Sequence, residues 1–192
     1  MNKYLILGII ILAIAVFSGY RLMAQTKMEE KMDTQNKKIL VAYYSYSGNT
    51  QKIANAIHEK IGGEIFEIKA EGSYPEEYKE MVQQAKKEIQ DSFRPKLTTK
   101  VENIDQYDII FIGSPNWWGT ITPQVSSFLE SYDLSGKKII PFITHGGGGK
   151  QNTITDIKAQ CKGCDVVSSG WSGYGSMSIG LSSWLEDLGF KI

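Results

Sequence analysis

The chain has 192 residues, 42% of them hydrophobic, and its 21 basic residues balance 21 acidic ones. That length builds one ordinary domain with a short extension. Neutral net charge without a basic stripe excludes an electrostatic nucleic-acid binder, 22% charge with 11% aromatics excludes a mostly disordered chain, and two cysteines are too few for a disulfide scaffold.

In chain order, the first feature is an uncharged run from Tyr4 to Tyr20 behind Lys3. Its length falls between a signal-peptide core and a spanning helix of about 20 residues, so residues 1–24 read as a cleaved signal peptide or a retained membrane anchor. The expected location is therefore extracytoplasmic, secreted or tethered to the cell membrane through residues 4–20. Lys3 and Arg21 are the only charges in that segment, which leaves 19 basic and 21 acidic residues beyond it. Residues 25–36 are polar and read as a linker. The folded domain is expected over 37–192.

From Ile39 the pattern becomes short apolar runs separated by amphipathic stretches. Ile39-Leu40-Val41-Ala42-Tyr43-Tyr44 is continuous rather than alternating, as in a strand covered on both faces. Ile53, Ile57 and Ile61 recur at helical spacing, and Ile65-Phe66-Glu67-Ile68 makes a second strand. Tyr78, Met81, Val82, Ala85 and Ile89 form one stripe of a long amphipathic helix opened after Pro75. Its charges, Glu76 to Glu88, read as a solvated face.

Ile109-Ile110-Phe111-Ile112 is a third strand and Val125, Phe128, Leu129 and Tyr132 mark a helix after it. Ile139–Ile143 is a fourth strand, in which Pro141 is awkward because it has no ladder donor. A fourth helix at Ile154 and Ile157, a short strand at Val166-Val167 and a closing helix through Leu181, Trp184, Leu185 and Leu188 follow. Five strands alternating with five helices imply an α/β fold, a parallel sheet between two helix layers. Ligands of such sheets bind beyond the C-terminal strand ends.

Three strand exits there are unusual. The first, Ser45-Tyr46-Ser47-Gly48-Asn49-Thr50, leads directly into a helix. Helix N-termini attract anions, hydroxyls add donors, and the segment has no charge, so it suits one phosphate monoester; an ordinary Ser/Thr cap is the bland alternative. Triphosphate and dinucleotide fingerprints are both missing. The second exit, Pro115-Asn116-Trp117-Trp118-Gly119, carries two adjacent indoles, one of which is expected to cover a flat ligand while the other packs into the core edge. The third, Thr144-His145-Gly146-Gly147-Gly148-Gly149, exposes backbone amides along a run of glycines.

Two other motifs lead elsewhere. His145-Gly146-Gly147-Gly148 matches a lipase oxyanion loop, but Gly170-Trp171-Ser172-Gly173-Tyr174 fails as a nucleophile elbow and no His lies downstream. Cys161-Lys162-Gly163-Cys164 follows a helix instead of opening one, which removes thioredoxin-type activation and leaves a local disulfide, two reduced thiols or a redox relay.

Together, Ser-x-Ser-Gly-Asn-Thr, Pro-x-Trp-Trp-Gly and the glycine loop resemble the flavodoxin family, specifically its bacterial branch with a Trp-Trp-Gly loop. The resemblance covers about residues 38–192. It implies a flavodoxin-like three-layer sandwich with a five-stranded parallel sheet in the order 2-1-3-4-5. It also implies FMN, with the phosphate on Ser45, Tyr46, Ser47, Gly48, Asn49 and Thr50. The ring would lie between Pro115, Asn116, Trp117, Trp118 and Gly119 on one side and Thr144, His145, Gly146, Gly147 and Gly148 on the other. Trp118 would stack on it, with the Gly119 peptide near flavin N5.

Departing from many flavodoxins, the fourth-strand loop carries no aromatic for the second ring face. Trp171 or Tyr174 closes that face, or it stays open to a hydride donor or small acceptor. The expected function is electron transfer with a partner protein or small acceptor by a monomeric domain. A small NAD(P)H-dependent reductase and a flavin-free binding module are the alternatives. No metal site and no nucleic-acid partner are expected.

Overall fold

The computed structural model describes residues 32–192. Its sheet contains β1 (Ile39–Tyr43), β2 (Glu64–Glu67), β3 (Ile109–Pro115), β4 (Lys138–His145), β5 (Asp165–Val166) and β6 (Trp171–Tyr174). The order is β2-β1-β3-β4-β5, with β6 also on β4, and every pairing is parallel. The helices are α1 (Asn49–Ile61), α2 (Tyr78–Gln90), α3 (Pro123–Ser131), α4 (Thr153–Gln160) and α5 (Leu181–Asp187).

The continuous apolar strands have the expected cause: both sheet faces are covered. Leu40, Ala42, Ile110, Ile112, Ile139 and Ile143 pack with Val125, Phe128 and Leu129 of α3 and Ile157 of α4. The alternate residues Val41, Phe111, Ile140 and Phe142 pack with Ile53, Ala54 and Ile57 of α1 and Leu181 and Leu185 of α5. Helix α2 contributes to neither cluster.

One element differs from the sequence expectation. The fifth strand position is filled twice, by β5 beside Lys138–Ile139 and by β6 beside Phe142–His145. The interruption falls at Ile140–Pro141. The Pro141 carbonyl faces Gly170 on that side, so the missing N–H of Pro141 lies where no ladder is formed. The awkward proline thus marks the seam between two short strands.

The expectation of a secreted or membrane-anchored protein is overturned. No helix among the described residues is long and apolar enough to cross a membrane. The signal peptide or anchor read into residues 1–24, the tether at 4–20 and most of the linker fall on residues outside those described. Cys161 and Cys164 are joined in a disulfide.

Candidate functional site

Three loops at the C-terminal ends of β1, β3 and β4 open onto a cleft of about 660 Å³. That volume is within the range of small-molecule sites, roughly 300–1,000 Å³. Of the residues expected at a site, Tyr46, Ser47, Asn49, Thr50, Pro115, Asn116, Trp117, Trp118, Thr144, His145 and Gly146 line it. Ser45, Gly48, Gly119, Gly147 and Gly148 belong to the same loops without lining it.

At the first loop the bland expectation of a hydroxyl cap does not hold. The residue that caps α1 is Gly48, with φ +81° and no side-chain cap. None of its hydroxyl neighbours is spent on the cap. The Ser45 Oγ is buried without a partner, and the Asn49 amide donates to Ser47 Oγ at 3.2 Å. Thr50 is buried and its Oγ1 lies 2.8 Å from Thr144 Oγ1, which ties the first loop to the third.

The second loop is a tight hairpin. Trp117 and Thr120 exchange backbone hydrogen bonds, and between them Trp118 and Gly119 both have positive φ, +53° and +88°. That conformation suits glycine and strains a tryptophan by about 1 kcal/mol or more. Asn116 braces the turn: its Oδ1 accepts from Gly119 N at 2.9 Å, and its Nδ2 donates to Gly149 O at 2.6 Å. One side chain thus joins the second loop to the glycine loop.

The two indoles divide their work. Trp117 sits among phenols, edge-on to Tyr74 at 5.0 Å, Tyr44 at 5.9 Å and Tyr46 at 6.0 Å. Trp118 is 53% exposed. Its Nε1 donates to Val82 O at 3.2 Å, and the Lys86 ammonium lies 4.8 Å from its ring. Both line the cleft.

Sequence reasoning missed one wall. Tyr78, Met81, Val82 and Ala85 of α2 line the cleft, as do Tyr174 and Gly175. The signal was present, since these four residues belong to the stripe of the amphipathic helix at i, i+3, i+4 and i+7, but spacing alone does not say what covers such a stripe. The lead-in to α2 is fastened too. Tyr46 OH donates to Pro75 O, while Tyr74 OH donates to Glu88 and accepts from Gln124 Nε2. Burial pushes the Tyr74 phenol well above its usual range, and the Glu88 carboxylate adds to this. The same burial raises Tyr44.

Of the two candidates for the second face, Trp171 is buried, with its Nε1 bonded to Ile179 O. Tyr174 remains 59% exposed, edge-on to His145 with ring centres 6.3 Å apart. Trp171 is core, and Tyr174 is the aromatic at the cleft.

The profile of the flavodoxin family matches residues 38–188. An NAD(P)H dehydrogenase (quinone) of Azorhizobium caulinodans is 28% identical over 155 residues, 74% of this chain and 75% of that protein. A crystal structure of a protein assigned as a flavoprotein, from Bacteroides eggerthii, has a TM-score of 0.71 at 29% identity, covering 81% of this chain and 100% of that one. A flavoprotein from Lactobacillus acidophilus, solved in complex with FMN, has a TM-score of 0.65 at 26% identity, covering 77% of this chain and 98% of that one.

Proposed function

The chain belongs to the flavodoxin family, and on that premise we propose that it binds FMN non-covalently in the cleft and carries electrons through it. The observation that carries this reading is the convergence of three strand-exit loops on one cleft with no charged side chain in its lining. The FMN complex of the Lactobacillus relative supports the cofactor.

The residues present fit the group at both ends. A phosphate needs donors and room. Here the unpaired Ser45 Oγ, the uncapped first turn of α1 and the open space around Gly48 supply them. A flat ring needs aromatic walls and backbone donors. Trp117, Trp118 and Tyr174 line the cleft beside Gly146 of the glycine loop.

Bound FMN supplies the redox chemistry itself. The chain's residues have other tasks. Ser45, Ser47, Asn49 and Thr50 hold the phosphate, Tyr46 and Asn116 brace the loops, and the indoles exclude water from the ring. Trp118, anchored by its edge to α2, is the stacking residue we assign. The Gly119 N–H is held by Asn116, and its carbonyl accepts from Asn152 N at 3.0 Å. The backbone groups of this turn left for a ligand are therefore the Trp118 N–H and the Trp118 carbonyl.

A second reading has its own support. Two relatives bear the name NAD(P)H dehydrogenase (quinone), and the exposed Tyr174 leaves the second side of the cleft accessible. This reading makes the protein a small NAD(P)H-dependent quinone reductase.

The test titrates the purified full chain with FMN and follows the visible spectrum. One flavin bound per chain at micromolar concentration supports the reading, and protein that stays colourless overturns it in favour of a flavin-free module. Anaerobic addition of NADH or NADPH then separates the two redox roles. A reductase bleaches its flavin with the nucleotide alone, whereas a carrier stays oxidised until a partner or chemical reductant is supplied.

A further inference from the structure

His145 ends β4, where its strand neighbour on β6 is Tyr174. Its Nδ1 accepts the backbone N–H of Gly147 at 3.1 Å. A ring nitrogen that accepts carries no proton, so the neutral imidazole must hold its hydrogen on Nε2. The ring lines the cleft, and Nε2–H is the donor it has left for a ligand. Gly147 itself has φ +124°, a conformation open to glycine and rarely adopted by other residues.

We propose that His145 is the positioning residue of the glycine loop: its neutral imidazole clamps the Gly147 amide through Nδ1 and offers Nε2–H to an acceptor oxygen of the ring in the cleft. The clamp stands on the loop geometry alone. Its second half rests on the flavin reading above, whose pyrimidine edge carries carbonyl oxygens.

The clamp has a direct chemical consequence. Imidazolium carries a hydrogen on both nitrogens, so Nδ1 can no longer accept from Gly147. Acid therefore releases the loop. The other ionisable groups lining the cleft are the phenols of Tyr46, Tyr78 and Tyr174; the lining contributed by α1, β3 and α2 has no Asp, Glu, Lys or Arg among the described residues. Lys150 follows the glycine loop and does not line the cleft. Among these groups the His145 imidazole is the one bonded to the glycine loop, so protonation of that ring is what breaks the clamp.

The experiment uses the ¹⁵N-labelled full chain, without ligand and then with FMN. The ligand-free spectrum should show a neutral Nε2–H tautomer for His145. On acidification the Gly147 amide should move with the same midpoint as the imidazole. Adding FMN should shift the Nε2–H signal.

Affinity provides the second arm. From about pH 8 to about pH 5.5, FMN affinity of the wild type should fall about three- to tenfold more than that of H145N, the scale of one hydrogen bond. Asn can accept from the amide two residues on without titrating, and titration of the FMN phosphate is common to both proteins. H145A should bind more weakly than H145N near pH 8.

A neutral Nδ1–H tautomer, a Gly147 amide indifferent to the imidazole, or H145A with wild-type affinity and pH response overturns the clamp. If no FMN binds at all, the functional reading fails, while the ligand-free spectra still decide whether the clamp exists.

Discussion

Helices α1 and α2 have 13 residues each and similar amphipathic patterning, yet they sit in different physical situations. In α1, Ile53, Ala54 and Ile57 are at most 1% exposed and lock the helix to the sheet. In α2, only Met81 and Ala85 are buried, Tyr78 is 70% exposed, and the stripe looks into the cleft. Periodicity shows that a helix has an apolar face; it does not show whether protein or ligand covers that face. The helix that belongs to the body carries stability, and the one that walls the cleft carries recognition.

Ile57→Ala breaks this comparison hardest. It removes a buried side chain from the α1 face and should cost about 3 kcal/mol in urea unfolding. FMN affinity of the folded fraction should be unchanged. An equal loss of affinity would mean that the two helices are not separable in this way.

Tyr74→Phe comes next. It takes away the hydrogen bonds to Glu88 and Gln124 that fasten the start of α2. The expected cost is about 1–2 kcal/mol, with amide exchange accelerated over 78–90 and unchanged over 49–61. Uniform acceleration would place α2 in the same cooperative unit as α1.

Val82→Lys is milder for the fold and sharper for function. It adds a cation to an otherwise uncharged lining at a half-buried position. Stability should stay within about 0.5 kcal/mol, while FMN or acceptor binding weakens about tenfold on the scale of one disturbed contact. Unchanged binding would remove α2 from the site.

The smallest effect is a control on the body side. Tyr107 OH donates to Glu64 Oε2 at 2.5 Å, joining the approach to β3 to edge strand β2. Burial, helped by the carboxylate, pushes its phenol up to about 12. In the unfolded chain the group ionises near the ordinary value of about 10. A raised folded value means the stabilisation is complete below about pH 10 and is lost as pH rises through about 12. Tyr107→Phe should therefore flatten alkaline destabilisation between these limits while leaving neutral stability within about 1 kcal/mol. An unchanged alkaline slope would show that this phenol is not responsible.

Much of this was legible in the chain itself. The apolar runs at 39–44, 109–112 and 139–143 announce two-sided burial because no polar residue could alternate there. The segment 45–50 stands out because hydroxyls, glycine and asparagine gather where a strand meets a helix. The β6 strand was not legible: Trp171-Ser172-Gly173-Tyr174 has small residues at its centre, and its pairing is supplied by β4. The α2 wall stayed hidden for a different reason. Its stripe obeys the same spacing as a core helix, and only the tertiary position of Trp118 against Val82 redirects it. The link between loops through Asn116 could not be read either, since it depends on two segments meeting in space.

The split fifth strand has a bearing on life at high protein concentration. A parallel sheet that ended in one long strand would offer a continuous template for strand addition by another molecule. Here that side is two residues of β5, a seam at Pro141, and four residues of β6. The opposite edge, β2, is four residues long and begins and ends with glutamate. Neither border of the described sheet presents the flat, uninterrupted ladder from which fibrillar association starts, so strand addition at these edges is disfavoured even under crowding.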